Sequence, residues 1–202
     1  MSEVWLLDDD AGVRRGLRRL LLASGVRATA CATAAELLAA LGEAPRGCVI
    51  LDLDLGGGAS GLDLQDELSQ RHPTLPILFL SGRGSVATSV RAMKQGAVDF
   101  LEKPVEADAL LAAIEAALHR GRDAELDALA DAEAQAAAAR LTEREREVFV
   151  LIARGCTNAE AGELLGIAAG TVKLHRARVM QKLEVHSVAE LARMHARLES
   201  LT

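Results

Sequence analysis

The sequence predicts an α/β doubly wound five-stranded parallel sheet followed by a smaller all-α domain. Three observations carry that prediction. Over residues 1–120, short apolar runs alternate five times with helix-period segments. Four of those runs end on carboxylates, a hydroxyl or a lysine. From residue 141 onward the strand pattern stops and only capped helical segments follow.

Val4-Trp-Leu-Leu7 reads as the first strand, ending in Asp8-Asp9-Asp10. Val13, Leu17, Leu20 and Leu21 then mark the inner face of a helix, with Arg14, Arg15, Arg18 and Arg19 on the other face and Gly25 as its stop. Residues 27–31 can form a second strand. Thr33 caps a helix through Leu41, and Glu36 three residues on completes a capping box. The organising stretch is Cys48-Val-Ile-Leu-Asp52, an apolar run of the kind buried on both faces of a parallel sheet. Glycines 56, 57, 58 and 61 follow, then a helix over 61–71. Ile77-Leu-Phe-Leu80 is a fourth strand ending at Ser81-Gly82; residues 85–95 are helical. Residues 97–101 form a fifth strand ending at Glu102-Lys103-Pro104, and a helix begins near Val105.

Half of the 202 residues are hydrophobic and only 2% are aromatic, so the core must be built from Leu, Val, Ile and Ala. No apolar run reaches the length of a membrane span, and the start, Met-Ser-Glu-Val-Trp, does not read as a signal peptide. Cys31, Cys48 and Cys156 have no metal-binding spacing and read as reduced thiols of a cytoplasmic protein. The net charge of -6 divides as -4 over residues 1–120, -3 over 121–140 and +1 over 141–202. The overall acidity therefore does not argue against nucleic-acid binding by the last part.

Residues 121–140 change character. Nine of the seventeen residues 124–140 are alanine, which predicts a helical linker that Gly121 could interrupt. Residues 141–202 then form the second domain. Thr142 with Glu145, and Thr157 with Glu160, are two capping boxes, each followed by a short apolar helix. A longer helix over Thr171–Leu183 and a last one over Val188–Leu198 complete a helix-turn-helix arrangement.

Right-handed crossovers bring the polar strand ends to one edge of a parallel sheet. Asp8, Asp9 and Asp52 then make a hard-oxygen site suited to Mg²⁺. Asp52 can act as a nucleophile toward a phosphoryl group, Lys103 can pair with a phosphoryl oxygen, and Ser81 can donate to another. In the second domain, residues 171–182 contain Lys173, His175, Arg176, Arg178 and Lys182 and no acidic residue, which suits a phosphate backbone.

These motifs resemble two known families. Asp8-Asp9, Asp52, Ser81-Gly82 and Lys103-Pro104, spread over residues 3–120, resemble the receiver domain of two-component response regulators, whose fold is flavodoxin/CheY-like. The resemblance implies that Asp52 is the phosphoacceptor, that Asp8, Asp9 and Asp52 hold Mg²⁺, that Lys103 contacts the phosphoryl group, that Ser81 and Phe100 form a switch pair, and that the Lys103-Pro104 bond is cis. The sequence departs from the pattern at Leu55-Gly-Gly-Gly58, where the family carries Met-Pro. Residues 141–201 are similar to the LuxR-type helix-turn-helix domain through Leu141-Thr-Glu-Arg-Glu145, Gly155-Cys-Thr-Asn158, Leu165-Gly-Ile167, Thr171-Val-Lys173 and Lys182-Leu183. That similarity makes Thr171–Leu183 the recognition helix. Thr171, Lys173, Leu174, His175, Arg176, Ala177, Arg178 and Lys182 are its DNA-binding candidates, and Val188–Leu198 is a dimerising helix. Ala168 stands where the family has a capping Ser, so Thr171 is expected to start the helix later.

The resulting reading is a cytoplasmic response regulator of the FixJ/NarL type. A sensor histidine kinase phosphorylates Asp52 and thereby controls homodimerisation and binding to double-stranded DNA. Asp54 and Arg83, each two residues beyond a site residue, are a candidate pair governing the lifetime of the phosphoryl group. Two alternatives remain. Asp52-Leu-Asp54 resembles the motif of haloacid-dehalogenase-type phosphatases, and the chain could also bind DNA independently of phosphorylation.

Overall fold

A computed structural model describes residues 3–55, 60–82 and 86–201. The chain divides into two compact units, Met1–Glu125 and Leu126–Thr202.

The first unit alternates β1 (Glu3–Leu7), α1 (Ala11–Ala23), β2 (Ala28–Cys31), α2 (Ala34–Leu41), β3 (Gly47–Asp52), α3 (Gly61–Arg71), β4 (Ile77–Ser81), α4 (Val86–Lys94) and β5 (Asp99–Glu102), then enters α5 (Ala107–Ala139). All four strand pairings are parallel, in the order β2-β1-β3-β4-β5. Strand alternation sorts the side chains into two cores. Trp5, Leu7, Val49, Leu51, Ile77 and Phe79 pack with Leu37, Leu62, Leu68 and Ala92 of α2, α3 and α4. Val4, Leu6, Cys48, Ile50, Leu78 and Leu80 pack with Leu17, Leu21, Leu110 and Ile114 of α1 and α5. The sheet is thus covered on both faces, which is why its central strands are continuously apolar.

Several local expectations need correction. The fifth strand begins at Asp99, two residues later than the apolar pattern suggests, because Ala97 instead closes the end of α4 by donating to the Ala92 carbonyl. Thr33 caps α2 through the Glu36 N–H, but the Glu36 carboxylate accepts from Ala32 N–H, one residue before the cap, so the capping box is only half formed. Gly121 does not interrupt α5. A Cβ there would lie 2.8 Å from Pro76 Cγ, so this glycine serves close packing rather than a break.

The second unit contains the end of α5 and four further helices: α6 (Glu143–Ala153), α7 (Asn158–Leu165), α8 (Ala169–Lys182) and α9 (Val188–Glu199). Both expected capping boxes form, Thr142 with Glu145 and Thr157 with Glu160. Gly166 ends α7 in the left-handed conformation. Ala137, Leu141, Val148, Phe149, Ile152, Val172, Val179 and Leu191 form its core. The expected late start of the recognition helix is not observed: α8 begins at Ala169, with Ala168 in an extended cap conformation that lacks a side-chain bond. Chain geometry places the cap there even without a capping side chain.

Candidate phosphoryl-acceptor site and nucleic-acid interface

Strand order decides the first site. β1 pairs with β2 on one side and β3 on the other, so the order reverses there and a crevice opens at the carboxyl ends of the strands. Leu7 is in register with Leu51, which sets Asp8 beside Asp52. Each offers one oxygen, as does the exposed Asp9, and the three oxygens lie within 4.8 Å of one another. This is a donor set for a hard divalent cation.

Lys103, just beyond β5, reaches into the same crevice. Its Nζ lies 2.6 Å from Asp8 Oδ2 and 2.9 Å from Asp52 Oδ2. Burial pushes the Asp52 carboxyl above its usual range, and the hydrogen bond and charge of Lys103 act against that rise. Burial alone would lower Lys103, but its bonds to Asp8 and Asp52 outweigh it and hold the ammonium above its ordinary value. The crevice is therefore an acidic site whose charge is offset only in part by one lysine.

Ser81 ends β4 fully buried, and its carbonyl accepts from Lys103 N–H at 2.8 Å. Phe100 on β5 is half-buried with its ring centroid 6.2 Å from that of Phe79. The Lys103-Pro104 bond is cis. Gly61 lets the start of α3 pack against the end of β3, since a Cβ there would collide with the Asp52 carbonyl oxygen. Asp54 is exposed, and its N–H donates to Asp52 Oδ1 at 3.4 Å. Arg83, the expected partner of Asp54, and Gly56-Gly57-Gly58 lie outside the described residues.

On α8, Thr171, Lys173, Leu174, Ala177 and Arg178 share an exposed surface, while Val172 and Val179 face the core. Arg176 is half-buried near the Asn158 side chain of α7, at 3.5 Å. His175 is also half-buried, and its Nδ1 has no hydrogen-bond partner among the described residues. Lys182, at the end of α8, is engaged within the fold. Its Nζ donates to Glu145 Oε2 at 2.6 Å and to the Arg140 carbonyl at 3.1 Å, so it braces the fold. Two residues escaped the sequence reading in this role. Glu145 was legible as half of a capping box but not as a buried ion-pair partner, and Arg14 as part of a polar helix face but not as a donor to the Asp8 carbonyl.

This combination defines a class: a receiver that takes a signal as a phosphoryl group, joined to a DNA-reading module. Residues 4–115 match the response regulator receiver domain family, and residues 139–195 match the bacterial regulatory proteins of the luxR family. The chain belongs to the two-component response regulators with a LuxR-type DNA-binding domain, and as such it regulates transcription. It is 40% identical over 193 residues to the transcriptional regulatory protein FixJ of Azorhizobium caulinodans, covering 95% of this chain and 90% of that protein. It is 38% identical to nodulation protein W of Bradyrhizobium diazoefficiens, covering 95% of this chain and 84% of that one. The solved structure of response regulator StyR matches with a TM-score of 0.78 at 37% identity, over 97% of this chain and 98% of that chain. Full-length FixJ from B. japonicum matches with a TM-score of 0.58 at 37% identity, over 100% of this chain and 98% of that chain. Among the described residues no helix is long and apolar enough to cross a membrane.

Proposed function

We propose that Asp52 accepts a phosphoryl group from a partner sensor histidine kinase and that the modification controls dimerisation and sequence-specific DNA binding in the cytoplasm. The observation that carries this reading is the placement of Lys103 between Asp8 and Asp52, at 2.6 and 2.9 Å. In the reaction, an Asp52 carboxylate oxygen forms the new bond to phosphorus as the bond to the donor's histidine nitrogen breaks, and that imidazole leaves with the electron pair. Mg²⁺, held by Asp8, Asp9 and Asp52, would neutralise charge on the transferred group. Lys103 exchanges its bond to Asp52 for one to a phosphoryl oxygen. Water later hydrolyses the acyl phosphate and restores Asp52, so the chain dephosphorylates itself but is not a turnover enzyme.

The signal leaves through Ser81 and Phe100. Ser81 moves toward the phosphoryl oxygen, and Phe100 follows into the space it vacates. The adjoining surface of α4 exposes Val86, Val90 and Met93, an apolar patch suited to a second copy of the chain. In the second domain, Lys173, Leu174 and Ala177 face the major groove. Arg176 and Arg178 contact phosphates, and Thr171 and His175 flank them. The functional division is a receiver over 1–120, a helical linker over 121–140 and a DNA-binding domain over 141–202.

The test is intact-mass measurement after incubation with Mg²⁺ and acetyl phosphate. Wild type gains one phosphoryl mass and Asp52→Asn gains none; an undiminished adduct on the mutant overturns the assignment of the acceptor.

A further inference from the structure

The helical pattern groups Arg14 with Arg15, Arg18 and Arg19 on the outward face of α1, but the structure separates them. Arg15, Arg18 and Arg19 are exposed, whereas Arg14 is half-buried and its Nη1 donates to the main-chain carbonyl of Asp8 at 2.6 Å. Asp8 thereby accepts at three points, while its own N–H donates to the Cys31 carbonyl at 3.4 Å. Its Oδ1 accepts from Asp10 N–H at 2.8 Å, its Oδ2 accepts from Lys103 at 2.6 Å, and its carbonyl accepts from Arg14.

The three holds differ in kind. Lys103 is shared with Asp52, so its grip on Asp8 changes whenever Asp52 changes. Asp10 is itself tied to the start of α1, where its side chain accepts from Gly12 N–H and Val13 N–H. Arg14 sits one turn further along, and its own N–H donates to the Asp10 carbonyl at 3.0 Å. The guanidinium thus reaches back from α1 to the Asp8–Asp9 peptide just beyond β1 and fixes the turn that carries two of the three carboxylates. A guanidinium suits this place because it cannot lose its charge and binds an acceptor through a rigid planar donor set.

We infer that Arg14 is a positioning residue for the divalent-cation site, acting through the main chain of Asp8 to hold the β1–α1 turn in its ligating geometry. This inference rests on the reading of Asp8, Asp9 and Asp52 as a Mg²⁺ site. Two effects of Arg14 oppose each other. Its charge repels a cation, so removing it would tighten Mg²⁺ binding; its hydrogen bond orders the ligands, so removing it would weaken binding. Loss of groups that orient metal ligands weakens metal affinity by about 10–100-fold, whereas a partly exposed charge is screened by solvent, so positioning prevails.

The experiment titrates Mg²⁺ into the full-length chain. Isothermal calorimetry gives the dissociation constant, and Trp5, the single tryptophan and buried on β1, gives an independent fluorescence signal. Arg14→Met raises the Mg²⁺ dissociation constant by about tenfold. Arg14→Lys, which keeps a cationic donor, recovers part of the loss, and both variants keep a cooperative thermal transition without metal. At saturating Mg²⁺, Arg14→Met accepts the phosphoryl group from acetyl phosphate to the wild-type extent, which separates a binding defect from a chemical one. Unchanged or tighter Mg²⁺ binding by Arg14→Met overturns the inference, as does an Arg14→Lys variant that binds no better than Arg14→Met. A wild-type chain that binds no Mg²⁺ overturns the metal reading itself and this inference with it.

Discussion

Lys182 Nζ lies 2.6 Å from Glu145 Oε2, joining the last turn of α8 to the first turn of α6. Glu145 also closes its own capping box, accepting from Thr142 N–H at 2.9 Å. One carboxylate therefore satisfies a helix start and anchors a second helix. This tie holds α8 at a set angle to the rest of its unit.

The pair makes the second unit acid-sensitive. Lys182 first, then the Thr142 backbone bond, holds the Glu145 carboxyl down to about 2 from an ordinary 4.5. Because the folded value lies below the ordinary one, the stabilisation is complete above about 4.5 and is lost as pH falls through about 2. Lys182→Met removes the partner of a buried carboxylate and costs about 1–3 kcal/mol at neutral pH. Thermal melts of wild type and variant should converge as pH falls across that window. A difference that stays constant down to the acid limit shows that Lys182 stabilises by packing alone.

The same geometry separates two classes of basic residue on α8. Arg178→Ala should reduce the salt slope of DNA binding by about one unit, at unchanged thermal stability. Lys182→Ala should lower stability and leave the slope as it was. Fluorescence anisotropy across a salt series, paired with melts, distinguishes the two. A lowered slope for Lys182→Ala would show that Lys182 contacts phosphate as well.

Ser81→Ala should uncouple modification from assembly. Ser81 is fully buried at the end of β4, on the strand next to the one that carries Phe100. The variant should gain the phosphoryl mass from acetyl phosphate yet remain monomeric in sedimentation velocity. Normal dimerisation of the phosphorylated variant removes Ser81 from the switch.

Ala168→Ser should stabilise the second unit. Ala168 already has the extended backbone of a cap, φ -63° and ψ 143°, but no side-chain oxygen for the first N–H groups of α8. Supplying one is worth about 0.5–2 kcal/mol. Denaturant titration of the full chain should show a later midpoint for its second unit; an unchanged midpoint would mean that solvent already satisfies those groups equally well.

Much of the candidate site was legible because it depends on strand ends. An apolar run that stops at a carboxylate, as at Leu51-Asp52, declares both a buried strand and the chemistry at its tip. Parallel pairing then gathers Asp8, Asp52, Ser81 and Lys103 at one edge with no further information. The capping boxes at Thr142 and Thr157 were equally plain, because each closes within four residues of chain. The sequence by itself thus determined the sheet, its helices and the cluster of carboxylates and lysine at the sheet's edge. Tertiary structure alone decided which partner each long or small side chain takes. Periodicity puts Arg14 on a polar face but cannot say that its guanidinium folds back onto the Asp8 carbonyl. Composition marks Lys182 as one of several basic residues on a helix, but cannot say that it pairs with a carboxylate 37 positions earlier in the chain. Gly121 looks like a helix break until Pro76 occupies the space its side chain would need. Local hydrogen bonds are set by spacing along the chain, whereas these contacts are set by what packing brings across it.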